Sequence, residues 1–568
     1  PEGSAAAVGN IIINAKRPVD IKPLRLLVMF IFLWLIFVFW NQENNEFVLT
    51  PYRKDSKVQM LFTILVIVAL ILFGKRLAVS NERIVSSPWP HHKQYQELAE
   101  SLSVGTVKLL NKEPAPELLL KENPYDTIAL SAENIPYNMD YAYYEGSYYV
   151  YFGIVPELLL YYPYYKVKGY HLNNYSAQYL LFSVLVIGVF ITIRQLIFRY
   201  SEKTGKSSFP YILYLLISIG FTLLSNNIYL VSRGDIYNVP IMAATAFIWM
   251  GFGMWLIGVE KNSTTVKRIV ATAMGSLCMA LSVGCRPQFA LYSLSGVFLY
   301  LFVESQGNKG NKESKKSKES KESKESKENI LSLSDRRLFK RAYLFDTLAF
   351  VIPYALVAMV VCWYNYARFG SIFEFGATLS LTTNDMNHRG FNFDRLFKGL
   401  YAFLFQPVNL TLDFPYLKSS SIMSDYMGRN MTEFIYGGCF AANPIFLLVF
   451  VPLFGLWKRV GKEAKALFLT FLSVGMVIAA FDVNGAGILY RYTCDFMPAI
   501  ALSTLIILIN IWGILEDKEK ALFSKILFVL LSLLAINSFL VFLGTGDSVN
   551  LRDNSIMLYE RIREYFRV

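Results

Sequence analysis

Apolar runs of bilayer-spanning length recur along this 568-residue chain: near residues 24–41, 58–74, 176–197, 209–226, 238–258, 267–284, 287–303, 343–363, 440–457, 464–481, 495–513 and 521–543. Crossing about 30 Å of hydrocarbon takes about 20 residues, and in lipid a helix satisfies its own backbone. The predicted class is therefore all-α, a polytopic membrane protein of about 11–13 transmembrane helices with two large external loops bearing amphipathic helices. Composition agrees: 54% of residues are hydrophobic, 15% aromatic and only 17% charged, with a mean hydropathy of +0.37.

The formal charge of +12 does not imply a nucleic-acid partner. The basic residues lie mainly in short connections between spans, where cytoplasmic loops collect them, so the charge reports orientation. Cys278, Cys285, Cys362, Cys439 and Cys494 show no CxxC spacing, and the four histidines form no HExxH, which argues against a disulfide framework or a zinc site. Residues 1–23, opening "PEGSAAA", read as a cloning remnant and N-terminal segment. Residues 304–341, built around "KESKKSKESKESKESKE", carry 12 Lys and Arg against 7 Asp and Glu and read as a disordered cytoplasmic linker. This linker divides an N-terminal membrane module (24–303) from a C-terminal one (342–543), followed by an external tail (544–568).

Counting spans from the linker puts "RYSEKTGKS", "EKNSTTVKR", "KRVGKEAK" and "EDKEK" in the cytoplasm and two long connections, 75–175 and 364–439, outside. The N-terminus resists the scheme. If both early runs span, the chain starts outside despite Lys16, Arg17, Lys22 and Arg25. Four arginines beside spans also sit on the face that disfavours them: Arg233 in "VSRGDIYNVP", Arg286 in "SVGCRPQF", Arg368 in "YNYARFG" and Arg491 in "LYRYTCDFMP". A guanidinium near lipid needs an anion or a carbonyl, and its fork suits phosphate, so all four are candidate donor-phosphate ligands. The alternative is snorkelling, or local pairing of Arg233 with Asp235 and Arg491 with Asp495.

In the first external loop, Tyr95, Leu98, Leu102 and Leu109 fall on a helical period over Lys93–Leu110, as in an amphipathic helix resting on the membrane. Farther on, "MDYAYYEGSYYVYFGIVPELLLYYPYY" concentrates tyrosines beside Asp140 and Glu145. Such rings suit an aromatic belt at the headgroups, or a sugar or acceptor pocket using Tyr144, Glu145, Tyr148 and Tyr149.

Tyr95, Ala99 and Gly105, then "GSYYVYFGIVPELLLYYPYY" running to Gly169, then the late "RYTCDFMP", resemble the GT-C superfamily of polyprenyl-phosphate-sugar-dependent glycosyltransferases. That superfamily includes protein mannosyltransferase and aminoarabinose transferase types. The resemblance implies a non-Rossmann site whose use of metal is optional, and a first-loop aspartate that is commonly one of an Asp-Glu pair before the tyrosine-bearing helix. Here that position reads "HHKQY", so the sequence departs from the pattern. Transfer to a hydroxyl needs a proton acceptor. Asp140, beside the tyrosines and the return into the membrane, is the first candidate; Asp126, His91 and His92 are reserves. Asp126 after "NPY" also suits a turn, and the histidine pair also suits a helix start.

In the second loop, Glu374, Asp385, Asn387, His388 and Arg389 interleave with aromatics, as in a carbohydrate site or in a lid lying on the bilayer. "NDMNHRG" lacks calcium-loop spacing, so no metal ligand is assigned; a divalent ion stays open, without residues to support it. Asp495 in "RYTCDFMP" joins the substrate candidates. The expected function is a bacterial plasma-membrane glycosyltransferase in cell-envelope glycan assembly or decoration. It would move a hexosyl or pentosyl group from a polyprenyl-phosphate sugar, a substrate and not a cofactor, to a glycan or other hydroxyl acceptor outside the cell. Its partners would be membrane lipid and the lipid-linked sugar. The rivals are a transporter or flippase of an anionic or lipid-linked substrate, a lipid-pyrophosphate-dependent polysaccharide polymerase or ligase, and a scaffold.

Overall fold

The computed structural model describes residues 23–41, 50–78, 93–201, 209–260, 263–300, 328–383, 385–388, 391–426, 429–485, 487–546 and 550–566. The apolar runs fold as α1 (Pro23–Trp40), α2 (Lys57–Leu77), α3 (Asn174–Ser201), α4 (Tyr211–Thr222), α5 (Ser225–Ser232) and α6 (Asn238–Gly258). They continue as α7 (Thr265–Cys285), α8 (Glu328–Phe369), α9 (Lys462–Gly485), α10 (Tyr490–Ile514) and α11 (Asp517–Leu543). The chain is a multi-pass α-helical membrane protein. Among the described residues eight helices are long and apolar enough to cross a bilayer, or nine if α4 and α5, bent by 50° at their junction, form one span. A helix apolar on all sides belongs in a core. Accordingly 83% of the apolar windows of α6 and α10 is buried inside the protein, against 17% for α2 and 11% for α8, which face outward.

The count falls below the expected range for local reasons. Run 287–303 opens as a 3-10 turn at Pro287–Ser293, and run 440–457 becomes a 3-10 helix, Pro444–Phe454. Proline supplies no backbone N–H, and Pro452 stands inside the helix in the second case. Helix α1 itself is an apolar helix of 18 residues, Pro23–Trp40. In the expected linker, helix α8 already begins at Glu328; residues 301–327 lie outside the described set.

Helix ends sort into two groups. At one end the loops expected in the cytoplasm are joined by ion pairs: Lys54 and Lys267 with Glu260, Arg199 with Glu463, and Arg268 with Asp346. There Lys525 also lies 5.4 Å over the Trp40 ring, and Phe32 stacks on Phe528, so α1 runs antiparallel to α11 and starts toward the other end. That other end, called here the site end, gathers the starts of α3, α6 and α10 and the finishes of α7, α8, α9 and α11.

The tyrosine-rich stretch is neither a helix nor a lipid-facing belt at its start. It folds as a hairpin, β1 (Tyr141–Tyr144) and β2 (Ser147–Tyr149), extended by β3 (Ser380–Leu381) from the second loop in the order β2-β1-β3. Glu145 and Gly146 have φ of +44° and +70°; two consecutive positive values give the tight turn that matches strand twist. Tyr141, Tyr143, Tyr148 and Tyr149 are buried within the protein. Two more strand pairs, Ser420–Tyr426 with Arg429–Ile435 and Asn409–Leu410 with Leu417–Lys418, lie in the second loop. The predicted amphipathic helix forms at Gln94–Ser103, but it covers protein and not membrane: Tyr95 and Leu98 are buried, and Tyr95 stacks on Tyr161 at 5.0 Å.

Candidate functional site

Past β2 the chain runs onto the end of α7. A Cβ on Gly153 would lie 2.3 Å from the carbonyl oxygens of both Gly284 and Cys285, so only glycine lets the two backbones touch. This contact brings the base of the hairpin to the tips of α6, α7 and α10.

Asp140 sits just before β1 with φ +62°, a conformation aspartate tolerates better than most side chains. Its backbone is held on both sides. The N–H donates to the Leu381 carbonyl at 2.6 Å, and its carbonyl accepts from the Gln94 side chain at 3.0 Å. The carboxylate accepts a hydrogen bond from the hydroxyl of Tyr237, which caps the start of α6. Burial, reinforced by Tyr151 and Asp140, drives the Tyr237 phenol far above its ordinary pKa against the opposing pull of Arg491, so the phenol keeps its proton and donates.

Arg491 lies over the other side of this group. Its guanidinium is 4.3 Å from the centre of the Tyr237 ring and 5.1 Å from that of Tyr492, and its Nη2 donates to the Tyr492 hydroxyl at 3.5 Å. Its Nε is buried without a hydrogen-bond partner. Arg286, which caps the C-terminus of α7, lies 5.6 Å from the centre of the Tyr492 ring and pairs with Asp495 at 2.8 Å. The Gln288 side-chain amide lies against both partners. Tyr151 faces the same space; burial raises its pKa, with Asp140 and Tyr492 adding and the two arginines opposing.

Four of the candidates therefore meet: Asp140, Arg491 and Arg286 lie about Tyr151, Tyr237 and Tyr492, and Asp495 pairs with Arg286. The other two arginines are bound elsewhere. Arg233, 1% exposed, donates to the carbonyls of Val541 and Gly544 at 3.1 Å each, closing the C-terminus of α11, and stacks on Tyr229. Arg368 donates to the Val150 carbonyl at 2.6 Å and to Asn365 at 2.7 Å, and lies 3.8 Å over Tyr364, tying α8 to the end of the hairpin.

The remaining candidates have local partners. Asp126 accepts from the N–H groups of Ile128 and Ala129, capping the short helix Thr127–Ala132. His91 and His92 lie outside the described residues. Tyr144 meets Phe369 edge-on at 5.9 Å, Glu145 is the exposed turn residue, Tyr148 accepts from the Asn138 N–H, and Tyr149 packs on Phe369. Glu374 accepts from the Gly376 N–H and the Thr378 hydroxyl within its own turn. Asp385 binds Asn123 at 2.9 Å and His388 at 2.7 Å, joining the two long connections. Burial works to raise the Asp385 pKa, but those two side chains and the Asn387 amide outweigh it and hold it low. Among the described residues no group of three or more His, Cys, Asp or Glu is arranged to hold a metal.

Sequence reasoning missed three residues here. Tyr237 stood inside a stretch singled out for its arginine. Asp482 lay one residue beyond the expected end of run 464–481, yet α9 continues to Gly485; the carboxyl is fully buried within hydrogen-bonding reach of the Asp495 carboxyl. An aspartate at the edge of an apolar run is itself a signal. Glu157, in a π-helical turn at Glu157–Tyr161, is buried with both oxygens unpartnered, and burial raises its pKa well above the carboxylate range.

The sequence matches no protein-family model and no curated protein. Two solved structures are similar to this one. The apo oligosaccharyltransferase of Archaeoglobus fulgidus gives a TM-score of 0.46 at 10% identity, covering 90% of this chain and 60% of that chain. The archaeal oligosaccharyltransferase AglB from Archaeoglobus fulgidus, in complex with an inhibitory peptide and a dolichol-phosphate, gives 0.39 at 12% identity with the same coverage. This chain thus spans 60% of the length of each, and scores below one half assign no residue a role.

Proposed function

We propose that the chain is a membrane glycosyltransferase that moves a sugar from a polyprenyl-phosphate carrier to a hydroxyl acceptor at the extracytoplasmic face, in bacterial cell-envelope glycan assembly or decoration. The supporting observation is the convergence of Asp140, Arg491 and Arg286 on one aromatic cluster at the site end. Asp140 takes the proton of the acceptor hydroxyl as that oxygen bonds to the anomeric carbon. The bond from that carbon to the carrier phosphate breaks, and its electron pair leaves on the phosphate. Arg491, with an unused Nε, meets the growing negative charge, and Arg286 adds its field from the Asp495 ion pair. Displacement in one step inverts the anomeric centre.

The test is to incubate the purified protein with a panel of polyprenyl-phosphate sugars and acceptors and to measure release of the free carrier phosphate. Release that depends on Asp140 supports the reading; no release across the panel sinks it. One observation favours a second reading, transport of an anionic or lipid-linked substrate. The bend between α4 and α5, with Asp482 buried near a span end, is the kind of interruption that transporters use. Movement of an intact lipid-linked sugar across proteoliposomes without bond cleavage would establish that reading instead.

A further inference from the structure

Tyr237 is in contact with both charged partners of the proposed reaction. Its hydroxyl donates to the Asp140 carboxylate, and the face of its ring carries the Arg491 guanidinium at 4.3 Å. The ring is fixed from the side by Phe152, edge-on at 5.5 Å, which in turn stacks on Tyr151 at 4.2 Å. Its backbone is fixed as well. The Tyr237 N–H donates to Asp235, and the next residue, Asn238, donates from its side chain to the Arg233 carbonyl at 3.2 Å, where the chain enters buried α6.

Asp140 stands on the loop between Asn138 and β1, where Leu381 and Gln94 hold its backbone and the Tyr237 hydroxyl holds its carboxylate. A carboxylate on a loop and an arginine in the first turn of α10 are separate bodies, and what fixes one relative to the other is the phenol between them. We infer that Tyr237 is the positioning residue of the site: its hydroxyl aims the proton-accepting carboxylate, and its ring independently seats the arginine that receives the carrier phosphate. This inference rests on the glycosyl-transfer reading and adds a division of labour within one side chain. The hydroxyl serves the chemical step, and the ring face serves donor binding.

The two halves separate by substitution. Tyr237→Phe keeps the ring, its packing and the seat for Arg491, and removes the donor to Asp140. Tyr237→Leu removes both. With the full-length protein and whichever panel donor turns over, Tyr237→Phe is expected to lower kcat by about 10- to 100-fold and leave the donor KM within about twofold. Tyr237→Leu is expected to lower kcat comparably and also raise the donor KM by about tenfold, with a parallel loss of affinity for the bare polyprenyl phosphate. A merely structural tyrosine would not split the two constants this way. Tyr237→Phe with wild-type kcat, in a protein that Asp140→Asn inactivates, overturns this inference alone; so does Tyr237→Leu with the donor KM of Tyr237→Phe. A wild-type protein that releases no carrier phosphate, or an Asp140→Asn variant that turns over normally, overturns the glycosyl-transfer reading and this inference with it.

Discussion

Asp140 and Arg286 look alike as candidates in the sequence, yet they call for different experiments. Asp140 points into the partly open cluster, so Asp140→Asn is expected to cut carrier release by about 10²- to 10⁴-fold with an unchanged melting temperature, measured on the same preparation. Arg286 is matched to buried Asp495 with Asp482 behind it. Arg286→Ala would strand both carboxyls and is expected to cost about 3–5 kcal/mol, read as a lowered melting temperature, which makes Arg491→Ala the cleaner probe of donor affinity. Glu157 carries a pH signature. Its folded pKa is raised by burial, so the native state keeps a proton that the unfolded chain gives up above about pH 4.3, and stability falls as pH climbs from there. Glu157→Gln should therefore melt higher than wild type at pH 8 and match it more closely at pH 5; parallel curves for the two proteins would refute this. Residue roles were legible where type and spacing leave little freedom, as with Asp126 in a turn. They were hidden where the partner comes from distant sequence: nothing near Arg233 announces the end of α11, and nothing near Asp140 announces Tyr237.

At the scale of elements, the decisive contact is the seat of the hairpin on α7. Gly153→Ala forces a methyl group into the carbonyls of Gly284 and Cys285, and neither backbone can yield without moving the site. The expected result is a loss of about 1–3 kcal/mol in unfolding and a larger proportional loss of turnover than of donor affinity, checked by thermal melts and kinetics. Run length and hydropathy disclosed the bundle helices, because burying a helix in lipid or among other helices demands apolar residues throughout. The same measure misread two runs. Length cannot register that Pro452 sits inside one run that forms a 3-10 helix, or that another opens as a 3-10 turn at Pro287. The hairpin escaped notice because buried tyrosines beside an apolar run suit a membrane interface as well as a strand; its signal was the Glu145-Gly146 pair, which favours a two-residue turn.

For the whole molecule, composition sufficed for the class, and the basic loops predicted one end of the bundle: the same loops meet there in ion pairs, away from the site. Which end faces the cell interior is open to direct measurement. Leu412, 99% exposed in the second long connection, and Lys458, exposed at the opposite end, are suitable reporters. A cysteine at 412 is expected to react with a membrane-impermeant maleimide in intact cells, and one at 458 only after permeabilisation; the reverse pattern would put the cluster in the cytoplasm and remove the proposed acceptor side.

The strand that Ser380–Leu381 contributes to the hairpin has a mechanical consequence. Leu379 and Leu381 hold the backbone N–H groups of Tyr143 and Asp140, so the two long connections, separated in the chain by most of the bundle, act as one lever. Where the backbone of Asp140 sits therefore depends on the later connection as much as on its own.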